Sequence, residues 1–354
     1  ALAAAAAGAS VLWVRNAVDD AIQAAETLRA ETDRIDLFHA RFAMSDRRRI
    51  EDAVVARFGK FGPEKERRGR ILVSTQVCES SLDLDLDLLI SDLAPVDALI
   101  QRAGRIWRHM DRRPPNARPL DAPRLLLLAP DPGKVEGPAW VHEIQEKGGY
   151  VYPDAGVLWR TARVLEDVGE IRAPEGVRRL IEEVYADGAE TPQPLQAAAT
   201  KAEGARLAEE QLAKLNTLNL TQGYGAAGAV HDDQEIGTRL GRPTVTLRLA
   251  RRRGDQITPW AEVAEDRRRA WAMSEISVPK HWIEAADARL SPPADLADAI
   301  AAATADWPAW ERQTIRVAAV EPGGAVALKE SGGGLPLTYA SDRGLIKSSP
   351  HLQG

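Results

Sequence analysis

The chain has 354 residues, 44% hydrophobic and 28% charged, enough for two or three domains at roughly 100–200 residues each and for a core that needs no metal or disulfide staple. Its formal net charge of −6 excludes a globally basic nucleic-acid binder, so any such contact must come from local patches. The one cysteine, Cys78, excludes an internal disulfide and fits a reducing cytoplasm, and no segment reaches the roughly 18 apolar residues of a membrane span, so no membrane partner is expected.

The opening ALAAAAAGAS has neither an initiator Met nor the basic start of a secretory signal. It reads as the end of an upstream helix stopped near Gly8. The chain is therefore expected to be a fragment, with a processed N-terminus as the alternative. From residue 10 to 130, short apolar runs alternate with helical patterns. VLWV (Val11–Val14) precedes a helical stretch from Asn16 to Ala30 with an Asp/Glu-rich surface. Ile35–Ala40 precedes the helix-like Ser45–Phe58, and Ile71–Thr75 is the next apolar run. Leu88–Asp92 leads into the helix-like Val96–Ile106, and Leu125–Ala129 follows. Short buried strands alternating with helices predict a parallel sheet covered on both faces, with ligands beyond the carboxyl ends of its strands.

Pro and Gly concentrate between Pro130 and Pro138 and mark a boundary. Residues 155–220 are mostly helical in pattern, with Val177, Leu180, Ile181 and Val184 at three- and four-residue spacing and a charged, Ala-rich helix from about 202. Residues 221–234 are Gly-rich and read as a loop. From about 236 the pattern turns to strands, in Pro243–Ala250, SEISV, TIRVAAV and VALK, with a helix over ADLADAIAAATADW. The predicted organisation is an α/β lobe over 1–130, a helical connector over 131–235 and a small α+β accessory domain over 236–354.

The strongest chemical signal is QRAGRIWRH, Gln101–His109. Arg102, Arg105 and Arg108 recur every three residues, with Gly104 letting the backbone pass closely. Such guanidiniums form a fork for phosphate oxygens, and the run continues through Arg112, Arg113 and Arg118 in a chain that is acidic overall. A solvated basic helix face is the competing reading. The second signal is STQVCESSLDLD, Ser74–Asp85, directly after an apolar strand, where hydroxyl and backbone N–H groups can meet a phosphate backbone. Asp83, Asp85 and Asp87 alternate with leucines and would share one strand face. A calcium loop is rejected because its sixth and twelfth positions are Leu88 and Ala94. Asp85 and Asp87 read instead as a polar strand face, and Cys78 as a small buried residue without a base partner. In LFHARF, Leu37–Phe42, His39 and Arg41 end a strand where sheet ligands dock. A lone histidine there is ordinarily structural, and Arg41 is the better phosphate contact.

The absences are equally informative. There is no G-x-x-x-x-G-K-[ST] phosphate loop, no G-x-G-x-x-G after a strand, no His/Cys cluster at zinc spacing and no G-x-S-x-G elbow. The triple glycine at 332–334 reads as a turn.

VLWVRNAVDDA, LFHARFAMSDRRRIE, ILVSTQVCESSLDLDLDLLISDLAPVDALIQRAGRIWRH and TRLGRPTVTLRLARR resemble the helicase–nuclease of type I CRISPR systems. The resemblance covers nearly the whole chain and is most specific over residues 11–109. It implies a superfamily-two helicase with a metal-dependent nuclease domain ahead of two RecA-like lobes, degrading the DNA strand displaced by an RNA-guided surveillance complex. By position, Arg105 and Arg108 resemble arginine fingers on the ATP γ-phosphate, with Gln101, Arg102 and Gly104 ordering their loop. Asp83 resembles the residue that bonds the ribose. Thr75, with Ser74, resembles a contact to single-stranded DNA, and Asn16, His39 and Arg41 match weaker positions near the DNA groove. Gln76 and Glu79 fall in the motif that couples the two sites. The phosphate loop and Mg²⁺-holding acids of the first lobe have no counterpart here.

The resemblance thus implies a second RecA-like lobe with ATP and Mg²⁺ as cofactors, the metal being held mainly by the missing first lobe. The implied partners are single-stranded DNA, the surveillance complex, and the missing nuclease and first lobe. The C-terminal domain would cover the DNA channel, with arginines 248, 251, 252, 253, 267, 268 and 269 along that path. A non-catalytic nucleic-acid-binding module derived from such a lobe, and a generic superfamily-two RNA helicase lobe, are the alternatives.

Overall fold

The computed structural model describes residues 1–79, 82–186, 188–215, 244–254, 256–263, 266–280, 282, 296–327 and 337–347. The Gly-rich stretch 221–234 and the glycines 332–334 lie outside these residues. The chain divides into two compact units: Ala1–Ser91, Arg102–Leu126 and Thr244–Gly354 form one, and Asp92–Gln101 with Leu127–Pro243 the other.

The first unit begins with a short helix, α1 (Leu2–Ala6), which ends where Gly8 takes a φ of 96°, a conformation glycine enters without steric cost. β1 (Val11–Val14), α2 (Val18–Arg29), β2 (Ile35–Phe38), α3 (Met44–Phe58), α4 (Glu64–Arg67), β3 (Ile71–Ser74), β4 (Leu88–Asp92), α5 (Val96–Ala103) and β5 (Arg124–Leu128) follow, of which α5 up to Gln101 and β5 from Leu127 fall in the second unit. The strands form a five-stranded sheet in the order β2-β3-β1-β4-β5. β1 lies parallel to both β3 and β4, and β2 parallel to β3, with Val14 opposite Ser74 and Ser91 and Phe38 opposite Ser74. The carboxyl ends of four strands therefore meet along one edge.

Both faces of this sheet are covered, which is why its central strands read as unbroken apolar runs. Leu12, Leu72 and Leu89 pack with Val54 and Phe58 of α3 on one face. Val11, Ile71 and Leu88 pack with Ala21, Ala25 and Leu28 of α2 on the other. β5 departs from the expected buried strand. It lies at the sheet edge with alternating exposure, leaving Leu126 and Leu128 accessible, as an edge strand with one covered face does.

The C-terminal part adds β6 (Thr244–Arg253), β7 (Gln256–Pro259), α9 (Arg267–Met273), β8 (Glu275–Pro279), α10 (Ala297–Ala303), α11 (Ala309–Thr314), β9 (Arg316–Val320), β10 (Ala325–Ala327), β11 (Leu337–Ala340) and β12 (Gly344–Lys347). These strands form a mixed sheet in the order β12-β11-β10-β9-β6-β7, with β8 also on β6. One face packs around Leu247, Leu249, Ile276 and Tyr339, the other around Trp271, Trp307 and Ala319.

A buried polar joint seats this sheet on the first. Asp46, in the first turn of α3, accepts the Tyr339 hydroxyl at 2.6 Å and the Trp260 indole N–H at 2.8 Å. The Tyr339 hydroxyl in turn accepts the Ala43 N–H at 3.0 Å. A buried carboxylate is tolerated because each polar atom finds a partner.

The second unit is helical. It holds α6 (Ala155–Val168), α7 (Val177–Tyr185) and α8 (Gln193–Leu215). Asp154 caps α6 by accepting the Val157 N–H, and Gly169 ends it at a φ of 71°. Leu180 and Val184 of the expected stripe are buried with Val96, Val157 and Val164, while Ile181 stays exposed.

Candidate nucleotide and nucleic-acid face

The polar residues that end the parallel strands converge on one arginine. Arg102, near the end of α5, is fully buried. Its guanidinium donates to the Glu79 carboxylate at 2.7 Å, the Ser91 hydroxyl at 2.8 Å and the Asn16 side-chain oxygen at 3.1 Å. It thereby ties the ends of β1 and β4 to the turn after β3. The Gln76 amide, at the start of that turn, donates to the Asn16 carbonyl at 2.9 Å. A buried arginine survives desolvation only when its N–H groups are met by a carboxylate and further acceptors, and Arg102 has both.

Arg105 differs in the kind of partner it has. It is half-buried, and its guanidinium donates to the main-chain carbonyls of Cys78, at 2.9 Å, and Glu79. Among the described residues no carboxylate lies within ion-pair distance of it. Burial, and then the positive charge of Arg108 beside it, hold its pKa below the usual arginine range. A charge disfavoured in this way is stabilised by an incoming anion. Arg108 is exposed, and its Nε donates to the Asp83 carboxylate at 2.9 Å. The His109 ring meets the same Asp83 oxygen at 2.8 Å, a partner that the sequence reading did not single out. Gly104 is exposed and its carbonyl accepts from Arg108, while Gln101 is exposed on α5.

The remaining candidates divide by burial. The Thr75 hydroxyl makes no hydrogen bond to another described residue, although the residue is largely buried. Ser74 is corrected from phosphate contact to structural group, since its fully buried hydroxyl donates to the Phe38 carbonyl at 2.9 Å. Asn16 is likewise buried and committed to Arg102 and Gln76. His39 and Arg41 belong to the joint with the C-terminal sheet. The His39 ring is buried against Phe42, with Nε2–H donating to the Arg343 carbonyl at 3.0 Å and Nδ1 accepting the Arg41 N–H at 3.1 Å. Burial, then the nearby Arg41 charge, lowers its pKa to about 3, so the ring is neutral. Arg41 pairs with Asp19 and lies over the Trp282 ring at 4.4 Å. At Gly344 an added Cβ would meet the Arg41 carbonyl at 2.3 Å and the His39 ring at 2.6 Å, so only glycine permits this approach.

The expected extension of the arginine fork through Arg113 and Arg118 is overturned, and the polar strand face expected of Asp85 and Asp87 is turned inward. All are buried in one ionic cluster. Arg118 donates to both Asp85 oxygens at 3.0 Å and to Asp87 at 3.1 Å. Arg113 donates to both Asp87 oxygens, at 3.0 and 3.1 Å, and Arg67 to the Asp85 carbonyl at 2.7 Å. Ser10 adds its N–H and hydroxyl to Asp87 at 2.9 and 2.8 Å. For Asp87, burial works against ionisation, but Ser10 and Arg113 outweigh it and hold the carboxyl below its ordinary range. Cys78 is fully buried, and burial pushes its thiol up to about 11, so it is no nucleophile.

The C-terminal arginines divide in the same way. Arg248 is buried between Glu275 and Glu311 over the Trp307 ring, which removes it from any strand path. Arg251 and Arg253 pair with Glu262, and Arg252 with Glu321. Arg267 bonds the Ala303 carbonyl, and Arg268 and Arg269 are exposed on α9. No group of three or more His, Cys, Asp or Glu among the described residues could hold a metal ion, and no described helix is long and apolar enough to cross a membrane.

A parallel sheet in this strand order, with an arginine loop beside the turn after β3, defines a RecA-like helicase lobe carrying a C-terminal accessory sheet. Residues 7–111 match the family described as "CRISPR-associated nuclease/helicase Cas3, C-terminal". The CRISPR-associated endonuclease/helicase Cas3 of Escherichia coli (strain K12) is 39% identical over 198 residues, covering 54% of this chain and 21% of that protein. That of Thermus thermophilus is 38% identical over 264 residues, covering 68% of this chain and 27% of that protein. The crystal structure of T. fusca Cas3 superposes with a TM-score of 0.72 at 26% identity, over 97% of this chain and 39% of that one. A chain in the structure described as "CRISPR RNA-guided surveillance complex, pre-nicking" superposes at 0.64, again at 26% identity, over 95% of this chain and 40% of that one. The chain belongs to the Cas3 family, as a C-terminal helicase region, and spans only 21–27% of the length of these curated relatives.

Proposed function

We propose that this chain is the second motor lobe and accessory domain of an ATP-driven translocase on single-stranded DNA that acts in CRISPR interference. The observation that carries the reading is Arg105. It is a guanidinium on the loop beside Asp83, held by main-chain carbonyls and without a carboxylate partner among the described residues. Arg105 and Arg108 would meet the charge spread over the transferring phosphoryl group, and Asp83 would exchange Arg108 and His109 for a ribose hydroxyl. Mg²⁺ would be held by acids of the longer protein, since the described residues offer no cation cluster. Thr75 would meet the DNA backbone, and the relay from Asn16 through Arg102 and Glu79 to Arg105 would carry strand occupancy to the nucleotide. Such a grip is sequence-blind and salt-sensitive. The likeness to a chain of a surveillance complex supports a partner of that kind.

The purified chain alone should show negligible DNA-stimulated ATP hydrolysis, because its sequence carries no phosphate loop. Robust hydrolysis by the chain by itself, measured as phosphate release, would contradict the half-motor reading.

A further inference from the structure

The loop bearing Arg105 and Arg108 is laced to the aspartate-rich run before β4. The Leu86 N–H donates to the Arg105 carbonyl and the Trp107 N–H to the Leu86 carbonyl, both at 3.0 Å, beside an isolated parallel bridge between Leu86 and Ile106. The Trp107 indole N–H donates to the Asp87 carbonyl at 3.0 Å, and the Arg108 N–H to Asp85 Oδ1 at 2.9 Å. Between the two arginines, Trp107 has a φ of 48°, and no other non-glycine among the described residues has a positive φ. A bulky side chain enters that left-handed region only where its surroundings over-determine it. The hydrogen bonds just named do so, and the carboxylate that ends the series cannot swing away. Asp85 is 1% exposed, with Arg118 on both its oxygens at 3.0 Å and Arg113 on Oδ2 at 3.4 Å.

We propose that Asp85 is a positioning residue for Arg108: clamped by Arg113 and Arg118, its carboxylate fixes the Arg108 amide and, with Asp87, holds the left-handed turn at Trp107 that sets Arg105 and Arg108 beside each other. The aspartate run is then neither a cation site nor merely a polar strand face. It is the seat on which the arginine loop is fixed, with Arg102 anchoring the loop at one end and Arg113 and Arg118 at the other. The functional consequence rests on reading Arg105 and Arg108 as phosphate-binding groups; the staple itself does not.

Amide exchange of this chain, followed residue by residue by NMR, tests the staple. The Arg108 amide should be protected in the wild type. Asp85→Ala should speed its exchange about 100-fold more than that of Leu72 and Val73 in β3, a local rather than global opening. Ser10→Ala, which removes a hydroxyl from Asp87 in the same cluster, should raise all three amides alike. If Asp85→Ala does not fold, Asp85→Asn serves, since its remaining oxygen can still take the Arg108 N–H and protection at Arg108 should persist relative to β3. An unprotected Arg108 amide in the wild type, one that moves only with Leu72 in Asp85→Ala, or one whose protection is lost relative to Leu72 in Asp85→Asn, overturns the proposal. In the longer protein, Asp85→Ala should lower kcat for ATP by about 100-fold with KM and DNA binding little changed, and Asp85→Asn should recover much of that loss. Wild-type turnover in Asp85→Ala beside a dead Arg108→Ala defeats the positioning claim alone. Wild-type turnover in Arg105→Ala and Arg108→Ala defeats the functional reading while leaving the exchange result standing.

Discussion

Two arginine–aspartate assemblies lie within a few residues of each other and behave oppositely. Arg113 and Arg118 face Asp85 and Asp87 with every carboxylate oxygen engaged and the group almost wholly buried. Arg108 faces Asp83 in the open, with side-chain exposures of 42% and 50%, and Arg105 faces only carbonyls. The residue types are the same; what differs is whether the charge has been settled inside the fold. The closed assembly can only hold the loop, whereas the open one can change partners at little cost.

The largest effect is expected at the closed assembly. Arg118→Ala leaves Asp85 and Asp87 short of counter-charge in the interior, and should cost about 3–5 kcal/mol in chemical denaturation. A loss under about 1 kcal/mol would show that the cluster is hydrated and open after all. A second, smaller effect belongs to His39. Its folded pKa is depressed to about 3, below the unfolded value near 6.5, so the stability it contributes is complete above about pH 6.5. That stability is lost as pH falls below 6.5, at up to about 1.4 kcal/mol per pH unit. The destabilisation caused by His39→Gln should therefore shrink as pH drops from 7 to 5 (about 1–2 kcal/mol over that span, by the same arithmetic). A penalty that is constant with pH would place a proton on His39 in the folded state. The smallest effect is expected in the open assembly: Arg108→Ala should change unfolding free energy by under about 1 kcal/mol, as exposed ion pairs do. A loss of several kcal/mol there would make Arg108 a structural residue.

Much of the lobe was legible in the sequence because its parallel strands are buried on both faces. Val11–Val14 and Leu88–Asp92 form strands with the predicted bounds, and the helix expected at Ser45–Phe58 runs from Met44 to Phe58. What misled was charge. Arg105 and Arg118 look alike as letters, and only the fold brings Asp85 and Asp87, about thirty residues upstream, onto Arg118. The alternation of aspartate with leucine reads as a strand with one polar face. The segment is instead covered on both sides, by the apolar core around Leu84 and Leu86 and by the arginines. His39, Arg41 and Asp46 carried no local sign of their partners, because Arg343, Trp282 and Tyr339 lie more than two hundred residues away. A helix opening on Met-Ser-Asp gives no hint that its aspartate serves a tyrosine and a tryptophan of another sheet. The positive φ of Trp107 was equally hidden, since nothing in GRIWRH requires it.

On the function proposed above, Arg105 keeps its charge for a phosphate. DNA-stimulated ATP turnover by the longer protein, wild type against Arg105→Ala with single-stranded DNA binding measured alongside, tests it most directly. Arg105→Ala should lower kcat by about 10³-fold or more with DNA affinity unchanged; turnover within a few-fold of wild type would remove Arg105 from the phosphate site.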